Sequence, residues 1–303
     1  MHRRNSTSSR RSIRRSRPTS AWYRARRSSS IPVRSRPTQK TPPDRATVDR
    51  AFSSRRAPGR GVGETRSTVT EPTGVAERLL CGVRSDDEAT ARAARAALDD
   101  LDPAAVIGLD EDAKLAFWID IYNAAATILH GEQPDRYETR RWGLFRALFR
   151  DPLVRVAGHD LSLDGIEHGI LRRSMTAWGL GYVPRLRPDR FERRTRVARA
   201  DPRVHFALNC GAASCPPIAV YTAAGIDDQL DAAVRSYLDA EVAYDPGVCV
   251  EVPRLFLWYR GDFGGKVGVY EFLERYDAIE PGDRPPLSYA DWDWSRAVGQ
   301  FRD

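Results

Sequence analysis

DAKLAFWIDIYNAAATILH, residues 112–130, is the stretch whose reading decides the fold. Drawn as a helix, it lines one face with Leu115, Trp118, Ile119, Tyr122, Ala126 and Leu129, and the opposite face with Phe117, Ile121, Ala124 and Ile128. A helix that is apolar on two sides belongs in an interior. Between the two faces runs a narrow polar strip, Asp120, Asn123, Thr127 and His130, spaced three and four apart so that the side chains stack along one edge. Buried polar groups need partners, so the strip must face a polar pocket or meet internal hydrogen-bonding groups. Asp120 and Asn123 are therefore candidate site residues.

Outward from this helix, the densest chemistry lies in DPRVHFALNCGAASCPPI, residues 201–218. Its apolar run Val204–Leu208 reads as a short strand, with His205, Ala207 and Asn209 on one face and Phe206, Leu208 and Cys210 on the other. Gly211 permits a sharp turn, and Pro216-Pro217 hold Cys215 outside any helix.

The rest of the chain supplies the frame. Residues 75–101 repeat alanine, arginine and leucine at helical spacing and predict one or two amphipathic helices, with Cys81 as a small core residue. Residues 134–150 predict a connecting helix or loop. VRVAGHDLSL predicts a hairpin turning at Gly158. In LDGIEHGILRR, Asp164 and Glu167 stand at capping-box spacing, which accounts for Glu167 but not for His168. Residues 178–200 read as a long loop, and Gly225–Ala240 and Val267–Tyr276 as helices. A strand over Val248–Leu257 takes Cys249 into the core. It ends in Trp258, Tyr259, Asp262 and Phe263, which read as a loop packed onto a site or as an aromatic corner that defines the fold. Trp292 and Trp294 are expected to fold back onto the domain. The predicted fold class is α+β: strands near 153–163, 203–210 and 247–258 in a small antiparallel sheet, packed on helix 112–130 and its neighbours in a single domain.

Charge divides the chain. Residues 1–70 carry 19 Arg and Lys against 3 Asp and Glu, while the remainder carries 29 against 38. The first segment, rich in Arg, Ser and Pro and without apolar periodicity, reads as a disordered tail able to contact anions. An Arg- and Ser-rich transit peptide is a second reading, although no stretch has an apolar helix face; the favoured one is that translation starts downstream, near Val62 or Val69. The acidic remainder lacks the basic face that nucleic acid requires. No apolar run reaches the length of a membrane helix, and no signal-peptide core opens the chain. The expectation is a cytoplasmic protein that contacts neither membrane nor nucleic acid through its domain, with its partner unknown. Four cysteines (Cys81, Cys210, Cys215, Cys249) in 303 residues are too sparse for a disulfide scaffold.

FWIDIYNA (117–124), LDGIEHGILR (163–172), DPRVHFALNCGAASCPPI (201–218), LFLWYRGDF (255–263) and WDWS (292–295) together resemble the family known as domain of unknown function 547. The resemblance runs from about residue 75 to the end and leaves the tail outside. It implies a domain of bacteria, archaea and plants with no assigned activity, joined in plants to a leucine-zipper region. Asp120 departs from the family pattern, which usually has Asn there.

Three chemistries compete. In a cysteine-dependent hydrolase or acyl-transferase, Cys215, or else Cys210, would be the nucleophile. His205 or His168 would be its base, Asn209, Asn123 or Asp120 the group orienting the imidazole, and the Gly211–Ser214 backbone an anion-stabilising nest. Ser214, Trp258, Tyr259 and Asp262 would then help bind substrate. In a binding or scaffolding module the same residues simply build the core. In a metal site Cys210, Cys215 and His205 would be ligands, although zinc would need a distant fourth; in a redox site Cys210 and Cys215 would form a disulfide, although Cys-x4-Cys is not the usual redox spacing. The reading assigns no cofactor and no metal.

Overall fold

The computed structural model describes residues 71–135, 148–297 and 299–301. The tail expected over residues 1–70 and most of the connection expected over 134–150 lie outside the described residues. Helix α1 (Pro72–Arg84) starts with proline at its first position and Glu71 accepting from the Gly74 amide. Helix α2 (Glu88–Asp99) is capped by Asp87, which accepts from Thr90. The two cross closely at Gly82, where a Cβ would lie 2.8 Å from the Ala91 nitrogen. After the short α3 (Pro103–Ile107) comes α4 (Glu111–Glu132), with Asp110 as its cap and Glu111 and Asp112 in the first turn, where the helix dipole favours them. Fourteen of its 22 residues are buried, so this is the central helix that its two apolar faces demand.

The hairpin β1 (Val154–Val156) and β2 (His159–Leu161) is antiparallel and turns at Ala157-Gly158. Both turn residues have positive φ (51° and 77°), as a two-residue turn matching strand twist requires. Its tip closes the end of α2, with the Ala157 amide on the Leu98 carbonyl. A π-helix (Gly165–Leu171) follows, then the short α5 (Arg190–Thr195) inside the expected long loop, and a 3₁₀ helix (Pro202–Phe206). Next come α6 (Ile226–Glu241), β3 (Ala243–Asp245), β4 (Cys249–Val252), α7 (Leu255–Trp258), α8 (Gly265–Arg275) and β5 (Leu287–Tyr289).

The α+β class is as expected, but its strands are rearranged. The sheet is two small sheets rather than one: the β1–β2 hairpin, and a three-stranded sheet in which β4 pairs antiparallel with β3 and parallel with β5. The strand expected near 203–210 is the 3₁₀ helix. Pro202 supplies the φ of a first helical turn and Asp201 accepts from the Arg203 amide at 2.9 Å, and together these start a helix where the apolar run suggested a strand. The strand expected to reach Leu257 stops at Val252, and α7 takes its place. Cys81 and Cys249, expected in the core, are exposed.

The buried side chains form two apolar clusters. One gathers α1, α2, α4 and the hairpin around Trp118, Phe117 and Leu79. The other gathers α6, α8 and the three-stranded sheet around Phe206, Phe256 and Phe272. The 3₁₀ helix lies between them and divides its side chains, Val204 to the first and Phe206 to the second. No helix among the described residues is long and apolar enough to cross a membrane.

Candidate functional site

The polar strip of α4 grips the loop that follows the 3₁₀ helix. Asn123 donates from Nδ2 to the Ala207 carbonyl (2.9 Å) and accepts from the Asn209 amide through Oδ1 (3.0 Å). His130 Nε2 donates to the Cys210 carbonyl at 2.8 Å, and the buried Asp120 accepts from the Tyr221 amide at 3.0 Å. Burial pushes the Asp120 carboxyl well up, the Tyr221 amide opposing it. Thr127 turns back onto the Asn123 carbonyl. The strip thus finds internal partners, most of them backbone groups of the cysteine loop. Asn209 extends the grip, donating to the Pro216 carbonyl and accepting from the Gly211 amide. Gly211 has φ of +90°, and a Cβ there would fall 1.9 Å from His130 Nε2, so only glycine allows the loop to lie against α4.

Held in this way, Cys210 and Cys215 bring their sulfurs to 3.3 Å. Cys210 is half-buried and Cys215 is 6% exposed. The sulfur–sulfur hydrogen bond, with burial, raises the Cys210 thiol well above its ordinary range. Burial raises Cys215 too, but the Cys210 thiol and nearby backbone groups outweigh it and leave Cys215 lowered, so the first proton lost leaves its charge on Cys215. The Glu167 carboxylate opposes ionisation of both.

Glu167 belongs to a second, contiguous cluster. The widened turn of the π-helix sets His168 and Arg172 on one side, and Arg172 donates to His168 Nδ1 at 2.9 Å. Arg172, 1% exposed, clamps Asp262 with Nε and Nη2 at 2.5 and 3.0 Å, and lies 4.6 Å over the Tyr259 ring. His205 donates from Nε2 to Asp262 at 2.9 Å and stacks on Tyr259, with centroids 3.9 Å apart. Tyr259 and Tyr122 donate to the two oxygens of Glu167, at 2.7 and 3.2 Å.

Charges settle accordingly. Burial would raise Asp262, but the His205 and Arg172 hydrogen bonds hold it down at about 2. Burial lowers His168 to about 4, against the pull of Glu167, so at neutral pH its imidazole accepts from Arg172 as a neutral ring. Glu167, despite burial, is held below its ordinary value by His168, the Tyr259 hydroxyl and Arg172.

The structure therefore unites most of the expected residues while changing several of their roles. Cys210 and Cys215 meet each other rather than a histidine: neither thiol is hydrogen-bonded to an imidazole, because His205 is turned to Asp262 and His168 to Arg172. His205 and Asn209 share no strand face. The backbone nest expected at Gly211–Ser214 is not open to an oxyanion, since the Gly211, Ala213 and Ser214 amides donate to Asn209, Ser295 and Asp293. Ser214 accepts from the Asp293 amide, and Trp258 packs against Trp292 and Trp294, which fold back as expected. Asp164 makes no cap, so the capping-box account of Glu167 fails. Glu167, Arg172 and Tyr122 join this cluster without having been singled out as candidates from the sequence, while His130, read there as part of the polar strip, meets the cysteine loop. The signal available for Arg172 was its place one turn beyond His168. Among the described residues no group of three or more His, Cys, Asp or Glu is arranged to hold a metal ion.

Residues 106–238 match the family model described as Protein of unknown function, DUF547, in agreement with the resemblance read from the sequence. The match covers α4, the π-helix, the cysteine loop and most of α6. It is narrower than the span read from the sequence, leaving Tyr259, Asp262 and the terminal tryptophans outside. No curated protein and no solved structure matches the chain.

Proposed function

We propose that this domain performs thiol redox chemistry, with Cys215 and Cys210 as a pair that closes to a disulfide and reopens. The observation that carries this reading is the 3.3 Å approach of the two sulfurs across the Gly-Ala-Ala-Ser turn. A disulfide lies at about 2 Å, so a small side-chain rotation closes the gap while α4 holds the backbone. Acyl transfer takes second place, because it needs an imidazole at the thiol and donors for an oxyanion.

The slight exposure of Cys215 favours a small oxidant of the hydroperoxide class. The Cys215 thiolate attacks the O–O bond; an S–O bond forms, and the departing oxygen takes up a proton to leave as alcohol or water. Cys210 then loses its proton and attacks the Cys215 sulfur, releasing water as the disulfide forms. Two thiols and one hydroperoxide thus become one disulfide, one alcohol and one water. A dithiol reductant returns the two electrons.

The test is to expose the protein to substoichiometric hydrogen peroxide, block remaining thiols with iodoacetamide and map the peptides. The expected product is a Cys210–Cys215 link in the wild type. Cys210→Ser should instead leave Cys215 oxidised to sulfenic or sulfinic acid, with no link. Free alkylation of both cysteines after peroxide, once the protein is denatured, would exclude the reading. The exposed Cys81 and Cys249 give the reference rate for unhindered thiols.

A further inference from the structure

Four of the six large apolar side chains exposed among the described residues fall within nine positions: Trp178 (57%), Leu180, Tyr182 and Leu186 (97%). Local geometry pushes them outward. Residues 175–184 form a tight projection, tied at its base by the Thr176 amide on the Val183 carbonyl and the Arg185 amide on the Ser174 carbonyl. Its tip reverses through Gly179, Leu180 and Gly181, all with positive φ, and it is anchored to the body by the Gly261 amide on the Leu180 carbonyl. A non-glycine residue in the left-handed region is uncommon and held only where surroundings demand it.

Charge singles out the same segment. Residues 173–199 carry eight arginines against two carboxylates, while the rest of the chain beyond residue 70 carries 21 basic against 36 acidic residues. Six of the eight arginines are exposed. At the foot of the projection a cavity of about 300 Å³ is lined by Arg150, Ser162, Asp164, Thr176, Trp178 and Arg185. Arg185 pairs there with Glu192 at 2.7 Å and donates to the Asp164 carbonyl, while Arg150 reaches the Asp164 carboxylate at 3.4 Å. Burial and the Glu167 charge raise Asp164 to about 6, against the pull of Arg150.

We infer that this projection is a membrane-docking surface: Trp178, Leu180, Tyr182 and Leu186 enter the interface of an anionic bilayer, and the arginine-lined cavity receives a phospholipid headgroup. Indole and phenol rings favour that interface, and basic residues beside apolar ones are drawn to anionic lipid. The occupant is a lipid surface rather than a protein, because the patch couples exposed apolar side chains to a strongly basic rim on an acidic domain. This reverses the expectation that the domain avoids membranes.

The experiment is flotation of the full chain with phosphatidylcholine vesicles, with and without phosphatidylserine. Wild type is compared with Trp178→Ser/Leu186→Ser, whose side chains are exposed enough to change without unfolding the protein, and with Arg187→Glu/Arg190→Glu. The basic first 70 residues are common to all, so differences report the projection. The expected result is at least about tenfold weaker partitioning to phosphatidylserine vesicles for the apolar pair. The charge pair should be similarly weakened on those vesicles and unchanged on neutral ones. Equal partitioning of wild type and both variants, or no partitioning of any, would overturn the inference and leave the projection to a protein partner.

Discussion

Glu167 shows how one residue can govern a site that it does not touch chemically. Its carboxylate is held below its ordinary range by His168, the Tyr259 hydroxyl and Arg172, and its charge opposes ionisation of both thiols. Neutralising it should release them. Glu167→Gln is expected to speed alkylation of Cys215 near pH 7 by about three- to tenfold, the equivalent of half to one pKa unit. A pH profile of iodoacetamide labelling checks this, and an unmoved profile would count against the coupling. The sequence made Cys210, Cys215, His205 and Asp262 legible as residues in need of a role, because imidazoles, carboxylates and thiols are conspicuous among apolar neighbours. It hid Glu167, whose capping-box spacing offered an adequate local explanation, and Arg172, which looks like any other arginine in an arginine-rich chain. Burial of an arginine is decided by the distant Asp262 that pairs with it.

At the scale of elements, the helix of residues 112–130 was readable because both apolar faces and the polar strip follow from one period. What the strip would meet was not readable, since its partners are main-chain groups about 80 to 100 residues away. The 3₁₀ helix was misread for a related reason: a five-residue apolar run has no periodicity that separates a strand from a buried helical turn. The π-helix likewise has no pattern of its own, yet it carries Glu167 and His168 and ends at Arg172, which reaches both His168 and Asp262. The grip of α4 on the cysteine loop is testable. Asn123→Ala leaves the Ala207 carbonyl and Asn209 amide unpaired in the interior, and should lower stability by about 1–3 kcal/mol in urea unfolding. It should also slow disulfide closure, because the sulfurs lose their fixed spacing. A variant as stable as wild type would mean that the loop holds its own shape.

Over the whole molecule, pH should act through opposed groups. His168, lowered from 6.5 to about 4, contributes stability above pH 6.5 that is lost as pH falls through about 4. Asp164, raised from 3.8 to about 6, contributes stability below pH 3.8 that is lost as pH rises through about 6. The two side chains lie 3.6 Å apart, and their effects nearly cancel between pH 6 and 4. Asp262, lowered from 3.8 to about 2, adds a loss only below the ordinary carboxylate range. Wild-type stability is therefore expected to stay level from about pH 6 to 4 and then fall. Asp164→Asn should lose about 3 kcal/mol over that same interval, because nothing then offsets His168. Denaturant titrations at a series of pH values test this, and parallel curves for the two proteins would contradict it. Also at this scale, the division into two apolar clusters was beyond sequence reading, since β4, its parallel partner β5 and Phe206 are brought together only by the tertiary fold.

The pairing of Cys210 with Cys215 is tested most directly by titrating the reduced protein with hydrogen peroxide and counting the closed pairs. The account predicts one Cys210–Cys215 disulfide per peroxide consumed, complete near one equivalent and reopened by a dithiol. Peroxide consumed without that link, or a link that forms only after unfolding, would contradict it.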